Sequence, residues 1–160
     1  LMEIKTEVCQ EYHVDQIIES MHPGNIAELN ALFGSADKDA LMQSINMSDE
    51  VYAVTIDGRV AAIFGFRELS KLTKRAYPWL ICSSLINEYG IIFLKHFNKI
   101  MKCLQNRFNA LECIIYSKNT EVIKMLEWVG FKILEEVYPG IDPSAKFYKM
   151  VWVRSDRDVR

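Results

Sequence analysis

Asp57-Gly58 separates two runs of strand character, Val51–Ile56 and Arg59–Phe66. A two-residue hairpin turn needs positive φ at both central positions, which Asp and Gly accept, so this dipeptide predicts a tight antiparallel hairpin. The spacing of apolar residues changes period on either side of it. Upstream, Ile4–Cys9 (IKTEVC) alternates like a half-buried strand, and three helical stretches follow at His13–Met21, Asn25–Phe33 and Asp37–Met47. Pro23-Gly24 breaks the first from the second, and Gly34 ends the second. Downstream, Trp79-Leu80-Ile81-Cys82 and Leu111–Tyr116 read as buried strands. Between them lies the longest helical pattern, Glu88–Phe108, with Phe93, Phe97, Ile100 and Leu104 on one face. A helix over Thr120–Val129 is stopped by Gly130, and strands at Phe131–Tyr138 and Lys146–Val153 flank Pro139-Gly140-Ile141-Asp142-Pro143.

This order predicts one mixed α/β domain over residues 1–160, with Arg154–Arg160 as a frayed tail. Leu1 ahead of Met2 reads as an addition to the natural start. Half of the 160 residues are apolar and a quarter charged, a composition that excludes disordered and low-complexity chains. The net charge of −2 supplies no bulk field for nucleic acid or an anionic membrane. No apolar run approaches a membrane span, and Leu1–Lys5 holds no signal core, so the expected location is the cytoplasm. Cys9, Cys82, Cys103 and Cys113 form no Cys-x-x-Cys pair, so neither a disulfide framework nor a metal site is expected.

One segment, Asn119-x-x-Val122-x-x-x-Leu126-x-x-x-Gly130-Phe131, resembles a helix motif of the GNAT superfamily of N-acetyltransferases, Asn-x-x-Ala-x-x-x-Tyr-x-x-x-Gly-Phe. Asn119 can cap that helix and Gly130 can take its left-handed exit. The resemblance implies a GNAT-like fold, a mostly antiparallel central sheet of about seven strands flanked by helices. It also implies acetyl-CoA as cofactor and an amine as acceptor. In that family a Gln/Arg-x-x-Gly-x-Gly/Ala turn opens a helix whose bare amides hold the cofactor's pyrophosphate. Here the stretch is Ser83–Ile92. In one register Asn87 replaces the Gln/Arg, Gly90 is kept and Ile92 takes the last small position. In another, Glu88-Tyr89 aligns with the family's Glu-Tyr and several loop residues are absent. The cofactor-binding residues implied are Ile81, Cys82, Ser83, Tyr89, Gly90, Ile91 and Asn119.

The family's oxyanion donor is a backbone amide on the fourth strand, here near Ile81 or Cys82. Its acid is often the helix-motif tyrosine, and that position holds Leu126, which cannot donate a proton. Tyr77, Tyr89 and Tyr116 are available instead, and Glu68 and Glu112 are available as bases, without a spacing that singles one out. The basic stripe Lys95, Lys99 and Lys102 reads as a solvated helix face, and Arg67–Tyr77 as an exposed basic loop. His13, His22 and His96 read as surface or cap residues. The aromatic final hairpin, around Tyr138 and Phe147–Trp152, suits an acceptor wall or a homodimer contact. Two functions follow: an acetyl-CoA-dependent N-acyltransferase, or a GNAT-like binding or structural protein that has lost the cofactor. Degenerate chains of the second kind resemble proteins of tailed bacteriophages, which would place it in a host cytoplasm or a virion.

Overall fold

Asp57 and Gly58 take φ of 50° and 80°, and the hairpin they close pairs from Ile56–Arg59 out to Glu50–Phe66, with one register shift between Val54 and Thr55. The computed structural model describes residues Met2 to Ser155. In chain order the elements are β1 (Ile4–Val8), α1 (Glu11–Ser20), α2 (Pro23–Phe33), α3 (Lys38–Asn46), β2 (Glu50–Ile56) and β3 (Arg59–Ser70). They continue with β4 (Arg75–Cys82), a 3-10 turn (Ser84–Asn87), α4 (Gly90–Arg107), β5 (Ala110–Tyr116), α5 (Thr120–Trp128), β6 (Lys132–Val137) and β7 (Phe147–Val153).

The strands form one seven-stranded sheet in the order β1-β2-β3-β4-β5-β7-β6. Every pairing is antiparallel except β4 with β5. Helices cover both faces. Val14 and Ile17 of α1, Met21 just after it, Leu29 of α2 and Leu41 of α3 pack on Ala53, Ile63 and Ile81. On the opposite face Phe93, Phe97, Met101 and Leu104 of α4 join Ile123 and Leu126 of α5 against Ala62, Phe64, Leu111 and Cys113. This is the amphipathic spacing of each helix turned inward, with polar faces left to solvent.

Several expectations change. Arg67–Tyr77 is not a loop: β3 and β4 pair out to Ser70–Arg75, and only a short turn with Lys74 at φ 54° joins them. Arg67 and Arg75 mimic a loop because they stand on exposed strand positions beyond the core, whereas Lys71 and Lys74 lie in the turn itself. β1 is an exposed edge rather than half-buried, with only Ile4 partly covered. Pro23 begins α2 instead of merely ending α1, since a first-turn residue has no intrahelical use for its N–H. His13 is fully buried: its Nδ1 accepts from Gln10 N–H at 2.8 Å and its Nε2 lies 2.8 Å from Glu7. Leu1 and positions 156–160 of the expected tail lie outside the described residues. Arg154 is held, with its backbone N–H on Asn109 O at 2.7 Å and its guanidinium on Phe108 O at 2.9 Å.

The sheet parts at its centre. β4 and β5 pair only at Arg75–Ala110 and Ala76–Leu111, then diverge. Pro78 follows directly. The Ser83 N–H donates to Ala61 O at 2.8 Å, so in the regular β3–β4 register residues 79, 81 and 83 turn their amides to β3. Residues 78, 80 and 82 therefore face β5, and proline removes the donor at the first of them.

Candidate active site

The opening between β4 and β5 is spanned by side chains and the start of α2. His22 N–H donates to Cys82 O at 2.8 Å. Asn25, 4% exposed, accepts from Cys82 N–H at 2.9 Å and donates through Nδ2 to Leu80 O at 3.4 Å. On the β5 side, Glu28 accepts from Tyr116 N–H at 3.0 Å, and the Tyr77 hydroxyl oxygen accepts from Ile114 N–H at 3.3 Å. Leu80 N–H is left facing the gap, because Ala76 is paired to β5, Pro78 has no N–H and Cys82 is held by Asn25.

A cavity of about 320 Å³ occupies this opening, with walls from both faces of the sheet. Leu29, Leu32, Phe33, Met47 and Trp79 line it on the α2–α3 side. Phe93, Phe97, Ile100, Val122 and Leu126 line it on the α4–α5 side. Trp79 is fixed there by its indole N–H on Ser48 Oγ at 2.7 Å. Polar groups are few on this surface: Asn25, Glu28, Ser44, Ser48, Arg67, Tyr77 and Asn119. A mostly apolar cavity with a few convergent polar groups is the usual form of a small-molecule site.

Burial pushes the Glu28 carboxyl up to about 7, opposed by the Tyr116 N–H and the Asn119 side chain. That value makes it competent to take a proton near neutral pH. Burial also pushes the Tyr77 hydroxyl far above its ordinary value, so it stays protonated while its oxygen accepts from Ile114. The Cys82 thiol is pushed up to about 12 for the same reason and is no thiolate nucleophile.

Of the residues implied by the sequence, Ile81 and Asn119 line the cavity. Ile81 turns its amide to β3 and Cys82 gives its own to Asn25, so the amide facing the gap is Leu80's, two positions along the same ladder. Asn119 stands at the N-cap of α5 without bonding the helix through its side chain, which is turned to Glu28 instead. Ser83, Tyr89, Gly90 and Ile91 cluster where β4 meets α4. Ser83 Oγ donates to Val60 O and accepts from Leu85 N–H. Tyr89 precedes α4, and its hydroxyl lies 3.4 Å from Arg59 Nη2. A Cβ on Gly90 would meet nothing within 4 Å, so open space lies before the first-turn amides of α4, which have no intrahelical acceptor. Bare first-turn amides at a helix N-terminus suit an anionic group, and Ser83, Tyr89, Gly90 and Ile91 stand outside the cavity lining.

Glu68 and Glu112 do not line the cavity. Glu112 is held at the sheet surface by Arg75 and Lys149, and Glu68 lies outside the central opening. Tyr116 packs on Phe147, with ring centroids 5.2 Å apart. Glu28 was missed because it sits on a helix whose spacing marks it only as polar. Pro78, inside an otherwise buried strand, was the available signal for the opening.

No protein-family model matches the chain, and no curated protein matches its sequence. Solved structures do match over nearly the whole length. Spermidine N-acetyltransferase from Vibrio cholerae, solved with CoA and spermine, is 10% identical over 94% of this chain and 95% of its own, with a TM-score of 0.69. Ard1 from Thermoplasma volcanium is 13% identical over 96% and 99%, at 0.69. A GCN5-related N-acetyltransferase from Kribbella flavida is 12% identical over 94% and 97%, at 0.66. The divergent β4–β5 pair and the helices that flank it are thus set in the fold of the GNAT N-acetyltransferases.

Proposed function

We propose that the chain is an acetyl-CoA-dependent N-acetyltransferase acting on a small amine. The observation that carries this is the through-sheet opening, where an unpaired Leu80 N–H, a Glu28 carboxyl near neutrality and a protonated Tyr77 meet. Acetyl-CoA would be held by Gly90, Ile91 and Tyr89 at the start of α4, with Ser83, Arg59 and Asn119 nearby and its tip toward Ile81 and Cys82. Bound there, it supplies an activated acetyl thioester. The amine enters from the α2–α3 side, and Glu28 accepts its proton to leave the nitrogen lone pair free. Leu80 N–H donates to an oxygen that gains negative charge. Tyr77 holds a proton in the gap for a leaving group.

One observation favours the second reading, a GNAT-like binding protein without the cofactor. The 3-10 turn consumes amides that a phosphate loop leaves bare, with Leu85 N–H on Ser83 Oγ at 3.2 Å and Glu88 N–H on Leu85 O at 3.1 Å. Titration with acetyl-CoA decides between them. A ligand at 100 times its Kd raises stability by about 2.7 kcal/mol. Binding that Gly90→Trp abolishes supports the transferase, and no thermal shift at millimolar acetyl-CoA leaves the binding protein. Binding retained in Gly90→Trp would place the cofactor elsewhere.

A further inference from the structure

The α2–α3 wall of the cavity carries two opposite charges. Glu28 has its partners in Tyr116 and Asn119. The side chain of Arg67, which is exposed, makes no hydrogen bond or ion pair among the described residues. Other arginines are engaged: Arg75 with Glu112, Arg107 with Glu50, and Arg59 with Glu88. Glu28, Tyr77 and Arg67 all line this cavity, and both charges act electrostatically on the Tyr77 hydroxyl. Around these charges the wall is apolar, formed by Leu32, Phe33, Met47 and Trp79.

A plain amine would leave Arg67 without a counter-ion. A polyamine would meet an arginine where it needs a second acid. We propose that the acceptor is an α-amino acid with a large apolar side chain. Its ammonium meets Glu28, its carboxylate meets Arg67, and its side chain lies against Phe33, Met47 and Trp79. A guanidinium suits a carboxylate through paired, parallel N–H donors. Transfer then forms a bond from the amine nitrogen to the acetyl carbon and breaks the carbon–sulfur bond. Before attack the ammonium gives one proton to Glu28, which frees the lone pair; sulfur then leaves with the bonding pair and takes the proton of Tyr77, which is replaced by the second proton from nitrogen. The products are an N-acetyl amino acid and a thiol. This inference rests on the transferase reading for the chemistry, and on the cavity alone for the ligand.

Calorimetric titration of the full chain with three matched probes tests it: L-phenylalanine, 2-phenylethylamine, which lacks the carboxylate, and 3-phenylpropionate, which lacks the amine. L-phenylalanine is expected to bind at least about tenfold more tightly than either, the scale of one charge-assisted contact. Arg67→Gln should bring L-phenylalanine down to the affinity of 2-phenylethylamine, and Glu28→Gln should bring it to that of 3-phenylpropionate. Arg67 is exposed, so its variant keeps the fold, and a thermal melt checks this. Parity of the probes on the unaltered chain, no binding of any, or a preference that survives Arg67→Gln overturns the proposal. Acetyl-CoA is titrated separately. Amino-acid binding without acetyl-CoA binding removes the transferase reading alone, and the reverse pattern removes the amino-acid site alone.

Discussion

Asn25 and Glu28, three residues apart on α2, hold opposite lips of the same opening. Asn25 bonds Leu80 and Cys82 of β4, and Glu28 bonds Tyr116 of β5. Residues at this spacing share one helix face, so a single helical turn sets the width of the site. Asn25→Ala strips the partner from the buried Cys82 N–H and costs about 1–3 kcal/mol. Urea unfolding checks this through a lower midpoint at unchanged slope. An unaltered midpoint would mean that β4 holds its course without α2.

Glu28 gives stability a pH dependence of defined sign. Its folded-state pKa of about 7 lies above the ordinary 4.5. Between those values the folded chain keeps a proton that the unfolded chain releases, so stability falls as pH rises through the window. The span corresponds to about 3 kcal/mol at full burial, and the surface that Glu28 keeps makes the measured loss smaller. Unfolding at pH 5 and pH 8 should show this loss, reduced in Glu28→Gln. In acetyl transfer the same group gives kcat/KM a limb that rises through pH 7 and is absent from the variant. Identical slopes in both proteins would remove Glu28 from either role.

Gly65 makes room for the indole that walls the cavity. A Cβ there would stand 2.8 Å from Glu50 O and 2.9 Å from Trp79 Cζ2. The backbone contact cannot yield cheaply, so Gly65→Ala costs about 1–3 kcal/mol and displaces Trp79 from Ser48. A lowered denaturation midpoint with an altered near-ultraviolet tryptophan signal is the expected result.

Gly90 is the opposite case. Nothing meets an added Cβ, and the residue opens a helix, where alanine is favoured over glycine by up to about 1 kcal/mol. Gly90→Ala should therefore melt slightly higher while binding acetyl-CoA more weakly. A more stable variant with undiminished affinity would show that phosphate does not approach this backbone.

Local chemistry made much of the fold legible. The Asp57-Gly58 turn, the Gly34 and Gly130 helix exits and the inward stripes of α1, α4 and α5 are each written within a few consecutive residues. The long β3–β4 arm was hidden because Arg67, Lys71, Lys74 and Arg75 read as loop polarity, whereas ladder hydrogen bonds run through the backbone whatever the side chains are. The site was less legible for a related reason. Glu28, Tyr77 and Asn119 are distant in the chain, and only sheet order joins them. Glu68 and Glu112 lie on strands of the right number, but Glu112 is held in ion pairs with Arg75 and Lys149 and Glu68 stands outside the cavity lining. Asn119 was visible as a helix start, and its side chain is spent on Glu28.

Pro78 makes one break in the β4–β5 ladder a property of covalent structure. A ring nitrogen without hydrogen cannot be zipped to the neighbouring strand in any conformation. At Pro78 itself a guest in the seam displaces no ladder bond, and the bonds it meets are those of Asn25, Glu28 and Tyr77. The chain, in turn, cannot close the seam at that position into an uninterrupted ladder.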